Sequence, residues 1–224
     1  MRKISIIGTG PGWEKSPFNS DWEIWTLAGL HDRCEPDRVY EIHSGKQIAL
    51  GWANDPLPQK MAWLKRQKLY IHPTLKTTFP DGIIFDYQKH IDKFGNYFTS
   101  SIAWVLAEAI QEKPDEIGIF GVSMSSSGEY AHQKPGCTYL IGWAKALGIK
   151  VTIQEGSELL SSPYIYGLEE PPVILESLTK KKEEILSKKN LYEERYNGAM
   201  CDHARAEGYL ECIEFIENNF GSKR

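Results

Sequence analysis

The segment KISIIGTGPGW, residues 3–13, decides how the rest of the chain is read. Residues 4–7 form a short apolar run rich in β-branched side chains that stops at Gly8, the pattern of a strand buried on both faces of a parallel sheet. Three glycines and a proline then fall within five positions, so the strand ends in a tight turn that can bring backbone N–H groups up to an anion. Beyond it, residues 23–27 (EIWTL) and 38–42 (RVYEI) read as two further strands. Helical spacing of Met61, Trp63 and Leu64 predicts a helix over 58–67, followed by a strand at 69–72 and a weaker one at 83–85. The clearest helix covers 99–112: hydroxyl residues open it, apolar residues recur at 102, 105, 106, 109 and 110, and Pro114 closes it. A second buried strand (EIGIFGV, 116–122), a polar loop, a helix at 138–147 and a strand at 149–153 complete the alternation. This order predicts an α/β fold, a Rossmann-like and mostly parallel sheet flanked by helices.

The pattern changes after Pro171-Pro172. Leu178, Ile185, Tyr192, Tyr196, Ala199, His203, Ala206, Leu210 and Ile213 recur at steps of seven, then of four and three, among many Lys and Glu residues. The tail reads as a long helix or a helical hairpin turning at Asn197-Gly198; the apolar seam keeps its phase through that point, which favours the continuous helix. Two domains are therefore expected, a nucleotide-binding domain over 1–170 and a helical appendage over 171–224 whose seam makes a homo-oligomer plausible. His203 on this seam reads as a packed residue, and the Lys180–Lys182 run as a solvated face.

Composition narrows the function classes. The 224 residues are 41% hydrophobic and 25% charged, typical of a folded protein. A net charge of -4, with basic residues spread along the chain, gives no electrostatic footprint for nucleic acid. No run approaches the roughly 18 apolar residues of a membrane span, and the start reads as a strand rather than a signal peptide, so a cytoplasmic protein is expected. The four cysteines show no metal-ligand or disulfide spacing.

The glycine loop is neither of two familiar phosphate binders. The dinucleotide fingerprint needs GxGxxG, a helix opening in the loop and an acid ending the second strand, whereas this chain has GxGxG, Pro11 and Pro17, and Thr26-Leu27-Ala28-Gly29. GxxxxGK[ST] is absent as well. What remains is a loop suited to a mononucleotide's phosphate or ribose. Thr99-Ser100-Ser101 offers a second anion cradle, because hydroxyls and free N–H groups meet there at the positive end of a helix. Both segments belong at the carboxyl edge of the sheet.

Three segments in order carry a family resemblance: Gly8-Thr9-Gly10-Pro11-Gly12; Phe98-Thr99-Ser100-Ser101-Ile102 followed by the 116–122 strand; and Tyr139-Leu140-Ile141-Gly142 leading to Val151 and Ser157-Glu158-Leu159-Leu160. The layout resembles bacterial sialyltransferases, and is similar to archaeal hydroxymethyl-dihydropterin pyrophosphokinases and to phage proteins with the same order of segments. The resemblance covers roughly residues 3–165. It implies that Gly8, Thr9, Gly10, Thr99, Ser100 and Ser101 hold the nucleotide of an activated donor. Pro11, Gly12, Gly121, Ser123, His43 and Tyr139 are further candidate ligand-binding residues. Thr9 stands where the family has Asn and Ser123 where it has Asp. The family's proton-accepting His near the Tyr139 segment has no counterpart inside it.

Among the residues at hand, His132 in the 123–136 loop is the expected general base, since an imidazole titrates near neutrality. Glu129 and Tyr130 are expected to orient it or touch substrate, and Lys134 to offset phosphate charge. His43, after the third strand, is the second candidate at the same edge. The expected function is a transferase using a nucleotide-activated donor, a nucleotide sugar by preference, with the donor as substrate and no resident cofactor. No DxD pair is present, so metal-independent glycosyl transfer is favoured. Two alternatives stand beside it: magnesium-dependent phosphoryl or pyrophosphoryl transfer, calling on Asp81, Asp86 or Asp92, and a nucleotide-binding or sequestering protein without catalysis.

Overall fold

A computed structural model describes residues 1–31, 33–51, 57–124, 130–162, 164–169 and 174–220. Strand β1 (Lys3–Ile7) lies at the centre of a seven-stranded sheet, between β2 (Trp22–Leu27) and β6 (Glu116–Phe120). β3 (Arg38–Glu41), β4 (Leu69–Ile71) and β5 (Ile83–Ile84) extend it beyond β2, and β7 (Lys150–Ile153) borders β6. Every pairing is parallel, in the order β5-β4-β3-β2-β1-β6-β7. Alternation along β1 explains its apolar run: Ile4 and Ile6 enter the largest buried cluster, while Ile7 joins Ile24 and Leu30 on the opposite face. The buried Ser5 between them is hydrogen-bonded to Ser16 at 2.8 Å.

Six α-helices flank or follow the sheet among the described residues: α1 (Gly45–Gly51), α2 (Leu57–Leu64), α3 (Tyr87–Phe94), α4 (Ser101–Gln111), α5 (Tyr130–Ala146) and α6 (Ile174–Phe220). In α4 all five expected apolar positions are buried, together with Ala103 and Ala107, and this broad face packs with α5, β1 and β6 in one cluster. Trp63 and Leu64 of α2 close a second cluster with Val39, Leu69 and Ile71. At the amino ends of the strands, Arg38 stacks on Trp25 at 4.2 Å, binds Glu112 at 2.5 Å, and shares Glu112 with Arg2.

Three local readings change. α1 and α3 stand where the sequence reading assigns no element; α3 opens at Asp86, whose side chain accepts from the Lys89 N–H at 3.0 Å, and closes at Gly95. β6 stops at Phe120, because Gly121 turns to φ +65°. α5 begins at Tyr130 rather than near 138 and runs through Pro135. The Thr138 hydroxyl donates to the carbonyls of Lys134 and Pro135, at 3.1 and 2.9 Å. A Cβ on Gly136 would stand 2.8 Å from the Tyr97 carbonyl, so glycine lets α5 press against the segment before α4.

The chain divides into two compact units, Met1–Ser161 and Ser162–Arg224. The second contains α6, 47 residues that pass Asn197-Gly198 without a turn, so the tail is one long helix and no hairpin. No helix among the described residues is long and apolar enough to cross a membrane.

Candidate functional site

In a parallel sheet the loops after the strands gather at one edge, and neighbouring connections diverge where the strand order reverses. Here the reversal falls at β1, which leads to β2 on one side and borders β6 on the other. A cleft of about 950 Å³ opens there, and Gly8, Gly29, His43, His72, Ser101 and Gly121 mark the loops around it.

The glycines allow three loops to meet. The Gly8 N–H donates to the Phe120 carbonyl at 2.8 Å and the Gly10 N–H to the Gly121 carbonyl at 2.9 Å. A Cβ on Gly8 would lie 2.6 Å from the Gly121 oxygen, and one on Gly29 would lie 2.7 Å from Thr9 Cγ2. The first turn is therefore a backbone-on-backbone joint between the β1 and β6 loops. Two amides of the expected cradle, those of Gly8 and Gly10, are thus engaged within the fold. Gln154 completes the joint, accepting from the Gly121 N–H at 2.5 Å and donating to the Pro11 carbonyl at 2.9 Å. Met124, in the same loop as Ser123, is a buried non-glycine residue at φ +50°.

The opposite wall is the start of α4. Ser100 caps it, its Oγ accepting from the Ala103 N–H at 3.2 Å, so the helix begins with the Ser101 and Ile102 amides lacking intrahelical acceptors. Facing it is a hydrogen-bonded row. Glu41 ends β3 and His43 follows two residues later, so both point to the same side of the extended chain. His43 Nδ1 lies 2.8 Å from Glu41 Oε1, and its Nε2 lies 3.2 Å from Ser101 Oγ. The Glu41 side chain is 4% exposed and that of His43 50% exposed. The Glu41 hydrogen bond holds the His43 imidazolium above the ordinary histidine range, against burial and the nearby charge of Lys60. With Nδ1–H donated to the carboxylate, neutral His43 presents Nε2 as an acceptor to the serine hydroxyl.

Lys60, buried on α2, brings an amine to the cleft lining. Aromatic rings supply an apolar wall: Phe98 stacks on Trp104 with centroids 3.7 Å apart, and Tyr87 meets Trp104 edge to face at 4.9 Å. The Tyr87 hydroxyl donates to the Ile42 carbonyl at 2.6 Å, and burial raises it above the ordinary tyrosine range.

Gly8, Thr9, Gly10, Pro11, His43, Thr99, Ser100, Ser101, Gly121, Ser123 and Tyr130 all line this cleft. Gly12 stands outside the lining at φ +89°, against the Gln154 side chain. Tyr139 does too; its hydroxyl donates to the Phe94 carbonyl at 3.1 Å. His132 is exposed on the first turn of α5, outside the lining, and Lys134 donates to the Ser161 carbonyl at 3.1 Å. Glu129 lies outside the described residues. Asp86 caps α3, Asp92 accepts from Gln88 at 2.7 Å, and Asp81 is exposed in a turn; none lines the cleft. Among the described residues no group of three or more His, Cys, Asp or Glu is placed to hold a metal ion. Glu41, Lys60 and Gln154 were missed: the first is signalled by its two-residue spacing from His43, the others only by the fold.

Sheet and cleft together define a Rossmann-like α/β protein with a cleft at the switch point of the sheet. The chain matches no protein-family model and no curated protein. Among solved structures, the sialyltransferase CstII from Campylobacter jejuni in complex with a substrate analogue, cytidine-5'-monophosphate, aligns at 15% identity and a TM-score of 0.48, over 81% of this chain and 100% of its own. The sialyltransferase CST-II in complex with trisaccharide acceptor and CMP aligns at 16% identity and a TM-score of 0.48, over 68% of this chain and 80% of its own.

Proposed function

We propose that the cleft binds a nucleotide-activated donor, by preference a nucleotide sugar, and transfers the activated group to an acceptor hydroxyl. The observation that carries this reading is the pairing of phosphate-suited donors with an oriented base at one sheet edge: the α4 N-terminus, Lys60 and the hydroxyls of Thr99–Ser101 suit a phosphate, and Glu41 holds His43 with Nε2 directed into the same space. His43 takes the role first expected of His132. Oxocarbenium-like transfer asks for a base toward the acceptor and stabilisation of the departing phosphate, and this set of groups supplies both. The Phe98–Trp104 wall offers a flat apolar surface for a base or sugar ring.

A thermal-shift panel of CMP, CMP-sugars, UDP-sugars, ATP and NAD tests binding. A ligand at 100 times its Kd stabilises by about 2.7 kcal/mol, a readily measured rise in Tm. Mass spectrometry of the best hit incubated with acceptor sugars then tests transfer. Absence of any nucleotide shift overturns the reading, and binding without turnover reduces it to a nucleotide-sequestering protein.

A further inference from the structure

The hydroxyl that His43 Nε2 meets belongs to the protein itself: Ser101 Oγ, at 3.2 Å. Glu41, His43 and Ser101 thus form a continuous row of carboxylate, imidazole and hydroxyl, and all three line the cleft. The elements of this row have separable roles. The nearly buried carboxylate fixes the ring by its Nδ1 side, the ring's other nitrogen accepts from the serine, and the serine sits on the first turn of a helix. A nucleophile, a base in hydrogen-bond reach of it, and a third group orienting the base are what covalent catalysis by serine requires. We propose that Ser101 is a nucleophile and that the cleft hydrolyses small activated acyl esters through a Ser101 acyl-enzyme. This activity goes beyond the transferase reading, uses the same cleft and needs no nucleotide.

The step balances with water as the only co-reactant. Ser101 Oγ attacks the ester carbonyl carbon while its proton passes to His43 Nε2, and the carbonyl electron pair moves onto oxygen. The first-turn amides of α4, Ser101 and Ile102, are donors suited to that oxyanion. Collapse breaks the bond to the leaving alkoxide, which takes the proton from His43. Water then adds to the acyl-enzyme by the same route, its proton passing through His43 to Ser101 Oγ, and the carboxylic acid departs. Glu41 acts through His43 and is a positioning residue. Its carboxylate keeps the Nδ1–H tautomer and stabilises the transient imidazolium.

The test uses the full chain with an alkyl fluorophosphonate, which traps an activated serine with loss of fluoride, and with p-nitrophenyl acetate. Expected are one phosphonyl adduct per chain, mapped to the peptide bearing Ser101, and an equimolar burst of nitrophenolate. His43→Ala lowers the labelling rate by about 100-fold or more, within the range of base catalysis. Glu41→Gln moves the inflection of the labelling pH profile downward, a change that a purely structural role would not produce. No adduct, an adduct on another residue, or labelling indifferent to His43→Ala overturns the proposal. Because wild-type labelling decides the matter, a poorly folding variant does not obscure it. Nucleotide shifts without labelling sink this inference and leave the transferase reading intact; labelling without nucleotide shifts does the reverse.

Discussion

At Gly121 the backbone takes φ +65°, and its carbonyl accepts from Gly10 while the loop abuts Gly8. A side chain at 121 is strained by its left-handed backbone and also strikes the β1 loop. Gly121→Ala is expected to lower stability by at least about 1–2 kcal/mol, the cost of the left-handed conformation alone, as read by urea denaturation. His43 yields a second prediction. Glu41 raises its pKa on folding, so its contribution to stability is complete below the unfolded value and fades as pH rises through the folded one. An NMR titration of the imidazole protons should place the wild-type inflection above that of Glu41→Gln, and any rate that depends on neutral His43 should rise with pH through the same inflection. An unchanged inflection would break the coupling claimed here. Sequence made part of this visible, since positions 41 and 43 share a side of an extended chain. It hid the fate of the Gly8 and Gly10 amides, because their acceptors lie more than a hundred residues away, at the last residue of β6 and the glycine after it.

At the scale of elements, α4 ties fold and site together. Its apolar stripe anchors it in the core while its capped start faces the cleft, so one helix sets both stability and the shape of the cleft wall. Ser100→Ala should cost about 1 kcal/mol through the lost cap, and Asp86→Ala a similar amount at α3. Chemical denaturation measures both. If Ser100 also touches the ligand, only Ser100→Ala should diminish the nucleotide-induced shift in Tm; equal shifts in the two variants would restrict Ser100 to capping. The strands and α4 were legible because burial on both faces and helical periodicity leave one-dimensional marks. The first two turns of α5 were not. Pro135-Gly136 looks like a break, yet Gly136 is there for contact with Tyr97, a tertiary reason that no local pattern carries.

For the molecule as a whole, α6 poses the remaining physical question. A straight helix of 47 residues is about 70 Å long at 1.5 Å per residue. Leu178, Ile185, Tyr192, Ala199, Ala206 and Ile213 repeat at steps of seven, and Tyr196, His203 and Leu210 at the same step four residues on. Leu178, Ile185, Tyr192, Tyr196 and Ile213 are all more than half exposed, and Ile185, Tyr192 and Tyr196 line one shallow groove. Surface pairs such as Lys189–Glu193 at 3.5 Å contribute only about 0.3–0.5 kcal/mol each, too little to offset that apolar stripe. A strict seven-residue repeat drifts around a straight helix by about 20° per heptad and stays on one face only when two helices supercoil. The occupant such a repeat fits best is the same helix of a second chain. Light scattering of the full chain should therefore give twice the monomer mass, and Ile185→Glu combined with Tyr192→Glu should return it to one. A wild-type chain that stays monomeric at micromolar concentration, or a double variant that still pairs, would show that this seam serves some other contact.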